Sequence, residues 1–355
     1  MIPLMSFFIT IFALGFVIFI HELGHMWSAK RFGIGVYEFS IGMGPKLFSK
    51  KVDETEYSLR AFPFGGFVKL AGLDEEEGES VEDSLNFKLK PLWQRSIVIA
   101  AGSIMNLILG FFIYSLVFST QGVPESTATI ATIVDGSPAQ EAGLASGDVI
   151  VAINGHELEG SGSKLVQLVT QSDGSTLEIT YFRNDENRRV SLTPEASGDG
   201  YMMGVALEVA YQRLNPFAAI GKGLVVTYQQ IGLVFKSLGM LFSGGASLKQ
   251  LTGPIGIVQF ASFQFGESLS QFLNVMAMIS ISLGVINLFP FPVLDGGHLV
   301  FLGLEAIRRK PVSQKIEILI SNVGAAILIT LMVLVVFNDI RFWQFRSDFF
   351  KSLMG

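Results

Sequence analysis

The pentapeptide HELGH, His21 to His25, combines residue types at a spacing that suits metal-assisted hydrolysis. On an α-helix, residues four apart lie on one face about one turn apart, so His21 and His25 point the same way with Glu22 close behind. Two imidazoles in the HExxH pattern bind zinc, and the glutamate serves as the general base. The motif follows an uncharged apolar run, Ile2 to Ile20, where ionisable side chains are costly and functional by default.

A catalytic zinc site needs a third protein ligand and keeps one position open. The chain has no cysteine, so this ligand must be nitrogen or oxygen. His156 lies in a soluble stretch and is expected at its surface. The other candidates are Asp295 and His298 in the run NLFPFPVLDGGH, Asn287 to His298, where prolines and glycines break a predicted membrane helix. Broken backbone at membrane depth lines a wet cavity or is buried in protein. Spacing alone leaves both candidates open.

The composition predicts a polytopic α-helical membrane protein. Of 355 residues, 50% are hydrophobic and 16% are charged. Crossing a bilayer takes about 20 mostly apolar residues, and four transmembrane helices are predicted, at 4–26, 96–119, 272–292 and 316–337. The first is expected to remain in the mature protein, because no Lys or Arg precedes its apolar run and no small-residue cleavage site follows it.

Positive charges in short loops predict the orientation of these spans, because such loops lie on the cytoplasmic side. The charges follow the first span, precede the second and separate the last two; they are Lys30, Arg31, Lys88, Lys90, Arg95, Arg308, Arg309, Lys310 and Lys315. Both chain ends and the section from about 120 to 270 are then expected outside, although Arg341, Arg346 and Lys351 run against the rule. The first and third spans run in one direction, so His25 and Asp295 are predicted to meet near the cytoplasmic side.

A β-rich module is predicted between the second and third spans, at 124–210, from short alternating runs bounded by turn residues. Its run SPAQEAGLASGDVIVAING, Ser137 to Gly155, resembles the PDZ domain, which binds peptides by adding them as a strand to a sheet edge. The resemblance implies that GYMMGVAL, Gly200 to Leu207, carries peptide binding. A β-rich linker without a ligand is the alternative.

Two other segments complete the predicted organisation. Alternating, glycine-rich stretches within 31–95 predict a membrane-associated β-hairpin region near the cytoplasmic face. Apolar residues recur at helical spacing over 217–242, but Lys222 and Lys236 give that helix a polar side, so we expect it to lie on the outer surface of the membrane rather than form a fifth span. The predicted segments are 1–30 with HELGH, 31–95, the second span at 96–119, the module at 124–210, the amphipathic helix and linker at 214–270, and the last two spans at 271–355.

HELGH, the PDZ-like run and NLFPFPVLDGGH together resemble the site-2 protease family of intramembrane zinc metalloproteases over nearly the whole chain. The bacterial branch that acts on membrane-bound anti-sigma factors is most similar, as the regulator-of-sigma-E protease type with a single PDZ domain; some members carry two. The resemblance implies that His21, His25 and Asp295 bind Zn²⁺. It also implies that Glu22 is the catalytic general base.

The same resemblance assigns Asn287 to substrate contact and gives His298 no ligand role. The expected partners are single-span membrane proteins, such as a pre-trimmed anti-sigma factor or remnant signal peptides, and the lipid bilayer, with no nucleic acid. The expected location is the bacterial cytoplasmic (inner) membrane, with the PDZ domain on the outer, periplasmic side. There the module is expected to exclude large substrates or to bind a newly formed carboxyl terminus.

Two other classes of function fit parts of the sequence. One is a non-catalytic membrane receptor or scaffold that keeps a PDZ domain and a structural zinc; Glu22 argues against it, because a structural site has no use for a general base. The other is a metal-ion transporter, but the outer halves of the predicted spans contain no histidine or carboxylate. Asn106, the most notable polar residue of the second span, is interpreted as a packing hydrogen bond rather than a ligand.

Overall fold

The computed structural model describes residues 4–73, 82–197, 200–243 and 252–344. The other residues lie outside the described part of the chain, including the end of the predicted segment 271–355 and part of the predicted linker after 242. The chain divides into two compact units. The first consists of Met1–Val117 with Phe217–Gly355, and the second consists of Phe118–Pro216.

The described part of the first unit is mainly helical. Its elements are α1 (Leu4–Arg31), α2 (Leu92–Thr120), α5 (Pro216–Phe242), α6 (Pro254–Glu267), α7 (Leu269–Asn287), α8 (Asp295–Arg308), α9 (Gln314–Arg341) and a 3₁₀-helix at Phe87–Leu89. Five of these helices, α1, α2, α5, α7 and α9, are long and apolar enough to cross a membrane. The expected multi-pass membrane protein is confirmed, whereas length and composition admit one more crossing helix than the four expected.

Several helix ends differ from the predicted spans, and those of α7 and α9 have an identifiable cause or consequence. α7 ends at Asn287 rather than at 292, because Pro290 and Pro292 lack the N–H groups that would continue it. α9 extends past 337 and includes Asp339, a buried carboxylate. Asp339 accepts hydrogen bonds from the backbone N–H groups of Gly253 and Gly256, at 2.9 and 3.0 Å. It therefore caps α6, a helix that sequence analysis had not separated from the linker.

Side-chain contacts give the relative directions of α1, α2 and α7. His25 contacts Val98 while His21 contacts Asn106, so α1 and α2 run antiparallel. The N-terminal half of α1, including Ile9 and Leu14, packs against a cluster that contains Phe272 and Met276 near the start of α7. Asn287, at the other end of α7, contacts His21. α1 and α7 therefore run parallel.

A long β-hairpin lies between α1 and α2 in sequence. It consists of β1 (Val36–Val52) and β2 (Thr55–Leu70). Residues Glu38 to Ile41 of β1 each have two partners, one in 56–59 and one in 66–69 of β2. Residues 56–59 of β2 also pair with 48–51 of β1, so the first half of β1 and this part of β2 are the two inner strands. Among the described residues, 66–68 of β2 have β-sheet partners along one side only.

The second unit is β-rich. Its elements are β3 (Val123–Ile133), α3 (Pro138–Glu141), β4 (Val149–Ile153), β5 (His156–Glu157), α4 (Gly162–Thr170), β6 (Leu177–Arg183), β7 (Glu186–Leu192), β8 (Glu195–Ser197), β9 (Gly200–Met202) and β10 (Val205–Gln212). The main sheet has the order β10-β3-β4-β6-β7, with β5 beside β4. Ile130, Ile150 and Ile179 are fully buried in its core. The first and last strands pair, with Val123 opposite Gln212, so the two ends of the module meet.

Candidate metal centre

The last three turns of α1 bring two imidazole rings together. His21 and His25 are 6% and 9% exposed, so both are withdrawn from the surface. Their ring centroids are 4.8 Å apart in an edge-to-face arrangement. The two Nε2 atoms lie 3.2 Å apart, so helical spacing directs the same nitrogen of each ring to one point.

The chain after α7 carries a carboxylate to the same point. Asp295 is the first residue of α8, and its Oδ2 lies 3.4 Å from His21 Nε2 and 3.6 Å from His25 Nε2. Just before it, Val293 has φ of 81°, a left-handed conformation that is strained for a β-branched residue. Backbone strain of this kind collects at functional sites and persists where the surrounding structure holds it.

The three atoms fit a zinc ion. Zinc binds nitrogen and oxygen ligands at about 2.0–2.2 Å in tetrahedral geometry, which places two ligand atoms about 3.3–3.6 Å apart. The separations of 3.2, 3.4 and 3.6 Å agree with those edges. Among the described residues, His21, His25 and Asp295 are the only group of three or more His, Cys, Asp or Glu side chains close enough to hold a metal.

α2 fixes the ring of His25 from behind. The backbone carbonyl of Val98 lies 2.8 Å from His25 Nδ1 and accepts its hydrogen, which leaves Nε2 free as a ligand atom. Gly102 lies against the other side of the ring, and a Cβ at that position would overlap the imidazole. The sequence did not predict a role for α2 in the site, because every residue type has a backbone carbonyl and the sequence does not show which one accepts a hydrogen bond.

α2 also contacts the other two residues of the group. The hydroxyl of Ser103 donates to Asp295 Oδ2 at 3.1 Å. The side-chain Nδ2 of Asn106 lies 3.4 Å from His21 Nδ1. The signal that could have revealed this role is a pair of polar residues, three apart on one helical face, inside an apolar run.

A cavity of about 360 Å³ opens beside the three atoms. It is lined by His21, Glu22, His25, Phe67, Val68, Leu70, Leu73, Ile99, Asn287, Val293, Leu294, Asp295 and His298. Glu22 is half-buried in its wall, and a Cβ at Gly66 would lie 3.2 Å from Glu22 Cγ, so the end of β2 runs beside that carboxylate. The side-chain Nδ2 of Asn287 lies 3.3 Å from His21 Nε2.

The remaining histidines lie apart from the three atoms. His298 also lines the cavity, but its Nδ1 lies 3.7 Å from Glu317 Oε1 and it is not part of the metal group. His156 is exposed in β5 of the module. Of the two candidates that spacing left open, Asp295 is the one that lies beside His21 and His25.

Comparison with known proteins gives the family. The model of peptidase family M50 matches residues 9–331. The chain belongs to peptidase family M50. The regulator of sigma-W protease RasP from Bacillus subtilis is 32% identical, over 94% of this chain and 97% of the relative. The zinc metalloprotease RasP from Geobacillus kaustophilus is 31% identical over the same shares.

M50 membership confirms the family resemblance and the enzyme class predicted from sequence, a zinc metalloprotease. A solved PDZ domain of an SdrC-like protein from Listeria monocytogenes also matches, with 23% identity over 23% of this chain and 87% of that chain. Its TM-score of 0.21 is too low to support a fold assignment for the M50 chain's module.

Proposed function

We propose that this M50 chain hydrolyses peptide bonds within the membrane-spanning segments of other proteins. In this proposal His21, His25 and Asp295 hold Zn²⁺, and Glu22 is the general base. The observation that carries the proposal is the convergence of three ligand atoms within 3.6 Å of one another, with the Glu22 carboxylate in the wall of the same cavity.

When bound, zinc makes hydroxide available at neutral pH by lowering the pKa of water from 15.7 to about 7, and it polarises the scissile carbonyl. The Glu22 carboxylate accepts a proton from water and returns it to the leaving amine nitrogen. Asn287 has an amide at the rim of the cavity, suited to hold a backbone group that unwinding has freed. Val98, Gly102 and Ser103 keep the ligand side chains in position.

Helix directions support four crossings rather than five. α1 and α7 run parallel, and α2 runs against them, so the end of α2 and the start of α7 belong to the same side of the membrane. The intervening chain then crosses an even number of times. α6 has 14 residues and spans about 21 Å, short of the roughly 30 Å of hydrocarbon. α5 therefore has no partner for a return crossing. It packs along α2, because a Cβ at Gly223 would overlap Ser115 and because Ile231 lines a pocket with Leu107. In this proposal α5 enters the bilayer beside the bundle without completing a crossing, rather than lying flat on the outer surface as expected.

The charges flanking the helices support a site near the cytoplasmic side of a bacterial inner membrane. His25 precedes Lys30 by five residues, about 7.5 Å along a helix. Lys30 and Arg31 end α1 and Arg308 ends α8, and such charges favour the cytoplasmic side. The second unit, which we assign as a PDZ domain from the run Ser137–Gly155, is then exposed on the outer side.

A membrane-spanning substrate must be unwound, because its helical backbone is internally bonded and shielded. The end of β2 offers an edge beside Glu22 on which an extended substrate can add as a strand. Val68→Pro should therefore reduce cleavage at unchanged zinc content, because proline cannot donate to the added strand. Lys50→Pro, on the opposite edge of the hairpin, is the matched control. Equal cleavage by both variants would remove this role for β2.

The substrate proposed is a single-span membrane protein already trimmed of its outer domain. One relative is named a regulator of sigma-W protease, which favours an anti-sigma factor. A remnant signal peptide is the second candidate, since β-strand addition binds a substrate through main-chain hydrogen bonds and does not require a particular side-chain sequence.

The deciding experiment compares the purified chain with Glu22→Gln on a trimmed single-span substrate, with zinc measured in both. We expect about one zinc per chain in each protein and cleavage only by the unsubstituted chain. Equal behaviour of the two proteins with zinc bound would favour a non-catalytic receptor or scaffold. Absence of zinc from both would overturn the proposed ligand set.

A further inference from the structure

Two asparagines contact the two ring nitrogens of His21 from opposite sides. Asn287 reaches Nε2 from the cavity, where it is half-buried. Asn106 reaches Nδ1 from behind, at 3.4 Å, and is 0% exposed. The first can meet substrate, but the second is sealed from it, so the two amides must serve different purposes.

The protonation of the His21 ring determines which side-chain atom of Asn106 must face Nδ1. Nε2 of His21 faces Asp295 and His25, so it is the atom available to a metal. A neutral imidazole that binds through Nε2 carries its hydrogen on Nδ1 and must donate it. His25 does this to the Val98 carbonyl. In Asn106 only the side-chain oxygen can accept such a hydrogen.

The surroundings of Asn106 permit that arrangement. Its Oδ1 has no hydrogen-bond partner among the described residues, and the oxygen and NH₂ ends of an amide are nearly equal in size. Turning the amide therefore brings the oxygen to His21 Nδ1 without moving other atoms. The backbone at this position is also fixed, because the hydroxyl of Ser280 on α7 donates to the Asn106 carbonyl at 2.8 Å.

We infer that Asn106 is a positioning residue of the metal centre: its side-chain oxygen accepts the Nδ1 hydrogen of His21 and fixes the tautomer and the ring plane. The inference rests on the proposed ligand role of His21. Partners of this kind usually change metal affinity or activity by about 10- to 100-fold when they are removed. This role differs from the packing hydrogen bond expected from sequence.

The test is a competition titration of Zn²⁺ against a chelator, on the full chain in detergent after its metal is removed. Asn106→Leu keeps the volume but cannot accept, so its zinc affinity should fall about 10- to 100-fold. Asn106→Asp keeps an acceptor and should bind zinc within a few-fold of the unsubstituted chain. Asn274→Leu, which removes a half-buried amide from α7, is the matched control and should bind zinc normally.

Two further readouts separate positioning from packing. The Co²⁺-loaded protein should show a changed visible absorption spectrum in Asn106→Leu and a near-normal one in Asn106→Asp. The melting temperature of the metal-free protein should be similar in both variants, with the zinc-induced increase reduced only in Asn106→Leu. If Asn106→Leu does not fold, Asn106→Ala takes its place in the same comparison.

Normal zinc affinity in Asn106→Leu would overturn the inference, and so would equal losses in the Leu and Asp variants, which would indicate a packing role. Failure of the unsubstituted chain to bind zinc would instead overturn the proposed function. The two failures are therefore distinguishable in one titration series.

Discussion

At the scale of single residues, Gly102 decides how closely α2 can approach the metal centre. A Cβ there would overlap the imidazole of His25, and that ring cannot move away without losing its hydrogen bond to Val98. We expect Gly102→Ala to lower zinc affinity by at least about 10-fold, the scale found when a ligand loses its support. Zinc per chain, measured after dialysis against a weak chelator, checks this.

Gly239→Ala is the control for Gly102→Ala, because a Cβ at Gly239 on α5 meets no atom within 4 Å. Its zinc content should equal that of the unsubstituted chain. Full zinc occupancy in Gly102→Ala under the same dialysis would mean that the helices separate enough to admit a methyl group.

How far the sequence could predict each site residue depends on whether its position follows from local spacing or from a contact distant in sequence. The proposed metal-binding role of His21 and His25 follows from local sequence, because helical spacing alone aligns their rings. Asp295 needed a tertiary contact across 270 residues of chain, and spacing left His298 equally eligible. The Val98 carbonyl could not be found at all, because any residue type supplies the same backbone oxygen.

At the scale of elements, the start of α8 depends on two glycines. A Cβ at Gly296 would overlap the Phe289 carbonyl, and one at Gly297 would overlap the Phe291 carbonyl, so only glycine lets the loop after α7 fold against this helix. Gly296→Ala should displace the neighbouring Asp295. We expect zinc binding and cleavage to fall together, measured as zinc per chain and as turnover of a trimmed substrate.

Gly303→Ala on the same helix is the matched control. A Cβ at Gly303 meets nothing within 4 Å, and alanine favours a helix over glycine by about 0.5–1 kcal/mol. Zinc content should be unchanged and the melting temperature equal or slightly higher. A similar loss of zinc in both variants would show that α8 tolerates no substitution, rather than that Gly296 is specifically required.

The elements differ in how far sequence could define them. Proline marked the end of α7 within a few residues, since the missing N–H group acts locally. The double pairing of β1 could not be foreseen, because which strands become neighbours depends on contacts distant in sequence. The sequence did not predict α6 as a separate helix, because its N-terminus is capped by Asp339, 86 residues away, instead of by a side chain of its own.

In the β-rich module, an ion pair joins Asp148, the residue before β4, to Arg183 at the end of β6. Asp148, 1% exposed, accepts from Arg183 Nε and Nη2 at 2.6 Å and from the Ala145 N–H at 2.8 Å. Burial raises the pKa of the Asp148 carboxyl, but these hydrogen bonds outweigh it and hold the pKa below its usual 3.8. The carboxylate therefore stabilises the fold above about pH 4, and this stabilisation is lost as pH falls through the lowered pKa.

We expect the melting temperature of the isolated module, residues 118–216, to drop on acidification below about pH 4, and Asp148→Asn to remove part of that dependence. Thermal unfolding followed by circular dichroism from pH 7 to pH 2 checks this. An unchanged slope in Asp148→Asn would assign the acid loss to other carboxylates.

At the scale of the whole molecule, the second unit is separable from the chemistry. The proposed ligands, the general base and the residues that support them all belong to Met1–Val117 and Phe217–Gly355. Val123 pairs with Gln212, and a Cβ at Gly122 would lie 3.0 Å from the backbone N of Arg213, so joining 122 to 213 needs little or no linker. The module, at 123–212, can be removed without stretching the chain.

We expect this deletion to leave zinc content and cleavage of a trimmed substrate near those of the full chain, and to permit cleavage of a substrate that keeps its outer domain. That pattern identifies a size filter, because removing an obstruction enlarges the range of substrates. A receptor for a new carboxyl terminus gives the opposite pattern: the deletion abolishes cleavage of the trimmed substrate while zinc remains. Cleavage of both substrates is therefore assayed beside zinc per chain, so that loss of the metal centre is not mistaken for loss of recognition.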